Sequence, residues 1–332
     1  MSAFINVSAK RAARICWQRS RRYASVSSSL ESPGSVGPFQ VFDRKVKVLQ
    51  KDRSAVFDGG QRSRTVDYVR DEVAERLIER LMDVKRKFNS VLDLGSGPGH
   101  FSKLLETDTT DKVVISSEKL LHRDPDDEFE VEVERIHADE ENLLETIPRN
   151  SQEAIVSCMS LHWVNDLPGV LVQIKEALQP DGVFLGALLG GETLFELRIS
   201  LQLAEVEREG GISPHVSPMT DSRDMSNLLG RAGFTLLTVD VDEFQVFYPS
   251  MWELMDDLQA MGESNAVIGR RNMLHRDTLA AASAIYKELY GNEEGHIPAT
   301  FQIIYMIGWK PAPSQPKALD RGAGQTNLKD VL

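Results

Sequence analysis

The feature that most constrains this chain is a glycine-rich segment that directly follows a short apolar run. Residues 91–94 form the run, and glycines then occupy every second position at Gly95, Gly97 and Gly99. Glycine allows a sharp turn and a close approach of the backbone to a ligand where a Cβ atom would clash. A dinucleotide-binding fingerprint would need its third glycine at the position of His100, so the spacing departs from that motif. The segment predicts a strand followed by a ligand-binding turn, with a purely structural turn as the alternative.

The surrounding sequence alternates short apolar runs with helical periodicity. Apolar residues recur at three- and four-residue steps from Val66 to Phe88 and predict an amphipathic helix that leads into the first strand. They are Val66, Val69, Val73, Leu77, Leu81, Val84 and Phe88. Further helices are expected at 100–106, 170–178 and 221–232. Strands are expected at 90–94, 112–116, 131–137, 154–159, 183–189, 235–241 and 300–309. This alternation predicts an α/β fold with a seven-stranded, mostly parallel, doubly wound sheet.

The chain is longer than a minimal fold of this kind requires. We expect the α/β domain to span residues 64–310, with helical insertions at 192–219 and 249–298. Insertions that follow the carboxyl ends of strands can roof a ligand crevice. Residues 25–63 are expected to form a linker and an N-terminal extension, and residues 311–332 a flexible tail.

The N-terminus has the composition of a mitochondrial presequence, which we assign to residues 1–24. Residues 1–30 hold six basic side chains and no acidic one, and they lack the continuous apolar run of a secretory signal. The whole chain has 38 basic and 50 acidic residues, so the remainder is acidic and lacks the charge pattern of a nucleic-acid binder. No apolar run approaches the ~20 residues of a membrane-spanning helix. The alternative for the N-terminus is a disordered basic tail.

Asp93 and the glycines after it resemble the acid-x-Gly-x-Gly-x-Gly loop of class I S-adenosylmethionine-dependent methyltransferases. The resemblance implies this fold with added helices. It also implies that Asp93, Gly95, Gly97 and Gly99 hold the methionine part of S-adenosyl-L-methionine.

Methyltransferases of this class usually carry one acid after the second strand, for the ribose, and one after the third, near the adenine amino group. Here Ser117 stands at the expected ribose position and Glu118 follows it. Three alternatives are open for the ribose. Glu118 binds its hydroxyl groups through a shifted turn, protein hydroxyl groups and water bind it in place of an acid, or the ribose is bound more weakly. Asp139 and Glu140 supply the acids after the third strand, and the alternative for Asp139 is a solvated loop acid.

Longer motifs outside the turn resemble one family over about residues 40–310. They are 160–168 (SLHWVNDLP), 179–184 (QPDGVF), 190–194 (GGETL), 201–205 (LQLAE), 207–211 (EREGG), 228–234 (LLGRAGF), 261–265 (MGESN), 274–277 (LHRD) and 305–310 (YMIGWK). The family is the mitochondrial respiratory complex I assembly factor of methyltransferase fold (assembly factor five). The resemblance implies a protein of the matrix, or of the matrix face of the inner membrane through its partners. Those partners are a complex I subunit, in which an arginine is hydroxylated, and other assembly factors.

Two alternatives to hydroxylation stay open. The same stretches resemble, more distantly, the malonyl carrier-protein methyltransferase of biotin synthesis, which favours methyl transfer to a protein or a carboxyl group. The second alternative is a non-catalytic assembly chaperone that keeps S-adenosylmethionine as a structural ligand. The altered ribose position favours the chaperone, and the complete set of glycines opposes it.

Candidate catalytic residues follow the fourth strand. His162 could act as a general base or hold a substrate carbonyl, and the alternative is a polar residue that closes the site wall. Asp166 could receive an arginine through a bidentate pair, and the alternative is an N-cap for the next helix. Glu205, Glu207 and Glu209 are spaced two apart and are expected on a solvated helix face.

A non-haem iron centre would need two histidines and one carboxylate. The pattern His-x-Asp occurs at His122 and Asp124, at His137 and Asp139, and at His275 and Asp277. His275 and Asp277 are the pair to test first, because they lie in the motif at 274–277 that resembles the family. The pattern is short, however, and no metal site is predicted from it. The chain also lacks the cysteine set of a zinc site.

The presequence assignment predicts that residues 1–40 direct a fused fluorescent protein into mitochondria. Replacing Arg11, Arg14, Arg19, Arg21 and Arg22 by Glu should keep the fusion outside, because the basic face responds to the membrane potential. Import is measured as protease-protected fluorescence in isolated mitochondria. Equal import of both fusions would contradict the assignment.

Overall fold

One mixed β-sheet of eight strands runs through the described residues of the computed structural model, which are 4–5, 40–116, 129–271 and 273–317. The strands are β1 (Phe4–Ile5), β2 (Val91–Leu94), β3 (Lys112–Ser116), β4 (Glu132–Ile136), β5 (Gln152–Cys158), β6 (Leu178–Leu189), β7 (Thr235–Tyr248) and β8 (Ile297–Trp309). Their order across the sheet is β1-β7-β8-β6-β5-β2-β3-β4. Strand β8 runs antiparallel to β6 and β7, and the other neighbours are parallel.

The α/β fold predicted from the sequence is confirmed, since all seven expected strands are present. Strand β1 adds two residues at the sheet edge, where Phe4 pairs with Gln245 of β7. Strand β2 lies in the interior of the sheet, and all four of its residues are buried. Both faces of the sheet are covered, which is why every residue of this strand is buried, including the acid Asp93.

Nine helices accompany the sheet in the described part of the chain. They are α1 (Arg44–Val56), α2 (Gln61–Val66), α3 (Tyr68–Met82), α4 (Leu143–Thr146), α5 (Leu167–Ala177), α6 (Phe195–Glu209), α7 (Ser222–Ala232), α8 (Met251–Ala260) and α9 (Arg276–Tyr290). Helices α3, α6, α8 and α9 contribute to the core on one face of the sheet, and α5 and α7 to the core on the other. None of the helices in these residues is both long and apolar enough to cross a bilayer.

The amphipathic pattern before β2 forms α3 over Tyr68–Met82, while Val66 belongs to α2 and the last two positions, Val84 and Phe88, lie beyond the helix. Its buried stripe is Val69, Val73, Leu77 and Leu81, which recur at the spacing that keeps side chains on one helix face. Helix α7 also follows its prediction, and Gly233 ends it at φ 91°. Helices α6, α8 and α9 fall within the two stretches that were expected as insertions.

Two local differences bear on the site. The helix expected at 100–106 is reduced to a 3₁₀ turn, Ser102–Leu104, because Ser102 is tied to a buried acid and Leu105 is already extended. Helix α1 was not predicted; it forms in the expected extension, where Asp43 caps it by accepting from the Val46 backbone NH. The other domain assignments stay predictions, because residues 1–3, 6–39 and 318–332 lie outside the described residues.

The buried stripe of α3 predicts the effect of shortening one side chain. Leu77→Ala should lower the free energy of unfolding by about 3 kcal/mol, because Leu77 is fully buried and its removal leaves a cavity. Met82→Ala in the same helix should change it by less than about 0.5 kcal/mol, since Met82 is 58% exposed. Guanidinium chloride unfolding measures both, and equal losses would contradict the assigned packing.

Candidate functional site

The glycine turn (residues 95–99) follows β2 and is held against the end of β3. The backbone NH groups of Gly95 and Ser96 donate to the Ser116 carbonyl at N···O distances of 2.8 and 3.1 Å. The three glycines have φ angles of 71°, 56° and 87°. Only glycine adopts these left-handed conformations readily, so the shape of the turn depends on these residues.

Two of the glycines differ in their surroundings. A Cβ atom at Gly95 would overlap the Ser160 side chain and lie 2.9 Å from Glu140 Oε1. A Cβ atom at Gly97 would meet no heavy atom within 4 Å. Gly95 therefore permits close packing within the protein, whereas Gly97 faces open space from which a ligand can approach the backbone.

Asp93, the acid before the turn, is completely buried. Its Oδ2 accepts a hydrogen bond from Ser102 Oγ at 2.6 Å, and its Oδ1 has no partner among the described residues. Burial raises the pKa of Asp93 to about 7, although the bond from Ser102 acts in the opposite direction. A buried carboxylate oxygen without a donor is unfavourable. An ammonium or hydroxyl group of a ligand can satisfy it.

Asp139 and Glu140, the acids expected after the third strand, are both bound by Arg44 of α1. The guanidinium lies 2.6 Å from Asp139 Oδ1 and 2.6 Å from Glu140 Oε2. Burial alone would raise the pKa of Asp139, but the Glu141 backbone NH and Arg44 hold it below its usual value. Asp139 is thus ion-paired, with a side chain that is 35% exposed. Only the Asp43 N-cap before a basic stretch could have indicated the helix that carries Arg44.

The residues proposed for the ribose, Ser117 and Glu118, lie outside the described residues. The same holds for the first His-x-Asp pair, His122 and Asp124. Their roles stay predictions.

Two cavities adjoin at the carboxyl end of β5. The smaller, the turn cavity, has a volume of about 30 Å³ and is lined in part by Gly97. The larger, the insertion cavity, has a volume of about 440 Å³. Arg70, Met159 and Met261 line both. Much of the insertion cavity is apolar, with a wall that includes Val69, Leu197, Leu201, Met219, Met255 and Phe301.

A buried ionic cluster lies at the wall between the two cavities. Glu263 Oε1 accepts from Arg70 at 2.6 Å, and its Oε2 accepts from Trp163 Nε1 at 2.7 Å. Lys47 Nζ lies 3.8 Å from Glu263 and 3.4 Å from the centre of the Trp163 ring. Burial alone would raise the pKa of Glu263, but Lys47, His162 and Arg70 hold it well below its usual value. Glu263 is therefore ionised, although its side chain is only 9% exposed.

The two candidate catalytic residues occupy different environments. His162 is buried and 3.7 Å from Glu263, and neither ring nitrogen has a hydrogen-bond partner among the described residues. Burial lowers the pKa of its imidazole, against the opposing effect of Glu263, so the ring is neutral at pH 7. Asp166 is exposed and caps α5 by accepting from the Gly169 backbone NH at 3.0 Å, which confirms the capping alternative. Neither residue lines the two cavities.

The expectation of a solvated face at residues 205–209 was wrong for Glu205, which is fully buried. The chain after α6 folds back, so that Ser213 and His215 bind the Glu205 carboxylate. Arg271 contacts both Glu205 and Glu209. These contacts join α6 to the loop before α9, and this loop lines the insertion cavity.

The remaining His-x-Asp pairs do not gather further ligands. His275 is the N-cap residue of α9, and Asp277 lies in the first turn of that helix. Asp139 is paired with Arg44. Within the described residues, no group of three His, Cys, Asp or Glu side chains could hold a metal ion.

The fold, the glycine turn and the adjoining insertion cavity define a class I S-adenosylmethionine-dependent methyltransferase-type domain. A family model described as a methyltransferase domain matches residues 66–239. The YcgJ protein of Bacillus subtilis shares the fold, with a TM-score of 0.50 and 14% identity, over 71% of this chain and 98% of its own.

Sequence relatives narrow this class. The arginine-hydroxylase NDUFAF5, mitochondrial, of Danio rerio is 49% identical over 310 residues, which are 92% of this chain and 94% of its own. A malonyl-[acyl-carrier protein] O-methyltransferase of Halorhodospira halophila is 31% identical over 303 residues, which are 89% and 97% of the two chains. The chain belongs to the family of the mitochondrial arginine-hydroxylase NDUFAF5, a family of enzymes, and the family assignment made from the sequence is confirmed.

The buried amine of the ionic cluster predicts a pH effect on stability. Burial lowers the pKa of Lys47 from 10.5 to about 7, although Glu263 opposes this. Between these values the unfolded chain binds more protons than the folded chain, so stability rises with pH. The unfolding free energy of the wild type minus that of Lys47→Met should increase from pH 7 to pH 9, by at most about 1.4 kcal/mol per pH unit. Denaturant unfolding at several pH values measures the difference, and a constant difference would contradict the shift.

Proposed function

We propose that this protein binds S-adenosyl-L-methionine at the glycine turn and hydroxylates an arginine of a complex I subunit in the mitochondrial matrix. The type of reaction is inferred from the family, because the relatives are named arginine-hydroxylases. The single structural observation that carries the proposal is the wall shared by the turn cavity and the insertion cavity. Because the two cavities share these lining residues, a substrate side chain in the insertion cavity would lie close to a ligand bound at the glycine turn.

The residues at the turn fit S-adenosylmethionine. Gly97 leaves space for the methionine part, and the unpartnered Oδ1 of Asp93 supplies an acceptor for its ammonium group. Asp139 and Glu140 would lie at the adenine end, held in place by Arg44. When bound, S-adenosylmethionine would supply an activated methyl group and no oxygen atom. Hydroxylation is a two-electron oxidation, so the reaction also requires dioxygen, whose second oxygen atom leaves as water, and a two-electron reductant.

The insertion cavity would hold the substrate side chain. Its apolar wall excludes water, which strengthens electrostatic interactions between the protein and a charged group inside it. His162 lies 3.7 Å from Glu263 and outside the residues that line the cavity, so it would not contact the substrate directly. Complex I assembly intermediates would present the substrate, together with other assembly factors at the matrix face of the inner membrane.

Methyl transfer is the second candidate function. The complete glycine turn favours it, because this turn serves methyl donors throughout the fold class. The relative from Halorhodospira halophila is named an O-methyltransferase and matches 89% of this chain. A non-catalytic chaperone would also contact complex I subunits but leave their arginines unmodified.

The proposal predicts that one arginine of a complex I subunit gains a single oxygen atom when this protein is present. Cells that lack the protein are complemented with the wild type, with Gly97→Ala or with Gly210→Ala, and the subunits are mapped by accurate-mass spectrometry. The wild type and Gly210→Ala should restore the oxygen. Gly97→Ala should lose it and weaken S-adenosylmethionine binding about tenfold or more, because its Cβ fills the ligand's space.

Gly210 is the matched control because it also has a positive φ, 69°, and open space at its Cβ position, but ends α6 away from the turn. If isotope label from the methyl group of S-adenosylmethionine appeared on the arginine, the reaction would be methyl transfer and not hydroxylation. If the arginine still gained oxygen in cells with Gly97→Ala, the reaction would not depend on the glycine turn. Assembly that depends on the protein without any modification would identify a chaperone.

A further inference from the structure

The insertion cavity presents a single carboxylate among the described residues that line it. This is Glu263, whose side chain is 9% exposed. Arg70, which lines both cavities, donates to Glu263 at 2.6 Å, so Glu263 lies near the part of the insertion cavity that adjoins the turn cavity. A cationic group that enters the cavity therefore meets its counter-charge next to the place where S-adenosylmethionine would bind.

Glu263 can accept further hydrogen bonds. A carboxylate has about four lone-pair positions. One position on Oε1 is used by Arg70, and one on Oε2 is used by Trp163. Lys47 Nζ lies at 3.8 Å, which is beyond hydrogen-bond distance, and donates instead to the carbonyls of Gly262 and Ser264. Each oxygen of Glu263 thus retains acceptor capacity for an NH group of a ligand.

Arg70 is shared between Glu263 at 2.6 Å and Asp67 at 3.3 Å. Its guanidinium group is therefore not devoted to Glu263 alone.

The cavity has opposite character at its two ends. Arg271 is at the solvent side, with a side chain 39% exposed, and its charge is met by Glu205 and Glu209. Arg270 donates to the Val267 carbonyl. Between these arginines and Glu263 the wall is mainly aliphatic and methionine side chains. An extended arginine side chain matches this arrangement, because its stem is apolar and its charge is at the tip.

We infer that Glu263 is the specificity-determining residue that binds the guanidinium group of the target arginine. The inference rests on the proposed function and deepens it, since it names how this site recognises its substrate. Arg70 and Trp163 also line the cavity and hold Glu263 in place through hydrogen bonds. Lys47 does not line the cavity and is a positioning residue, because it would act on the substrate only through Glu263. Asp166, which the sequence suggested for this role, is an exposed helix cap outside the cavity.

The test measures binding by the full-length chain and does not need the reaction. The probes are the peptide acetyl-Gly-Gly-Arg-Gly-Gly-amide and its counterpart with citrulline, which has the same shape as arginine but no charge. Nuclear magnetic resonance titration gives both affinities. The wild type should bind the arginine peptide at least about tenfold more tightly, the factor that a charge-assisted hydrogen bond supports. Glu263→Gln should reduce this preference to about twofold or less.

Glu196→Gln is the matched control. Glu196 is also a buried carboxylate, 1% exposed, but it binds Thr300 and does not line the cavity. This variant should keep the full preference for arginine. Glu263→Asp retains the charge on a shorter side chain and should give an intermediate preference, which covers the case that Glu263→Gln fails to fold.

Three results would overturn the inference. They are equal binding of the two peptides by the wild type, no saturable binding of the arginine peptide, and an unchanged preference in the folded Glu263 variants. Failure of the proposed function looks different: the Glu263-dependent preference for arginine is present, but no arginine of complex I gains oxygen.

Discussion

Glu263 joins separate parts of the chain in one buried contact. It follows α8 and binds Arg70 of α3, Trp163 after β5 and, at longer range, Lys47 of α1. Removing one partner of such a cluster would leave an uncompensated charge in the interior, which is strongly unfavourable. The cluster therefore ties the N-terminal extension and the second insertion to the α/β domain, and its member Arg70 lines both cavities.

The structure places a glycine turn typical of the fold class next to a cavity formed largely by the insertions. The turn depends on glycine backbone conformations at the end of β2, which any domain of this class can form. The insertion cavity depends instead on α6, α8 and the loops after them, packed on α3. The same fold can therefore support different reactions, because function is determined by the residues of the site rather than by the sheet.

Sequence patterns predicted the parts of the structure that depend on neighbours along the chain. The apolar runs became β2 to β8, and the stripe of α3 is the one that its spacing predicts. The expected helix at 100–106 failed, because the hydrogen bond from Ser102 to Asp93 and the extended Leu105 limit it to a 3₁₀ turn. For Asp166 the sequence left arginine binding and a helix N-cap open, and the structure shows the capping hydrogen bond.

The sequence by itself determined the order of strands and helices, the glycine turn and the family, because each of these is encoded in local spacing or in continuous motifs. Tertiary structure decided which charges are buried and paired. Arg44 meets Asp139 across 95 positions, and Arg70 meets Glu263 across 193. Local periodicity carries no information on contacts at such separations. Glu205 illustrates the limit: its helical spacing indicates a solvated face, yet the chain at Ser213 and His215 folds over it and buries its charge.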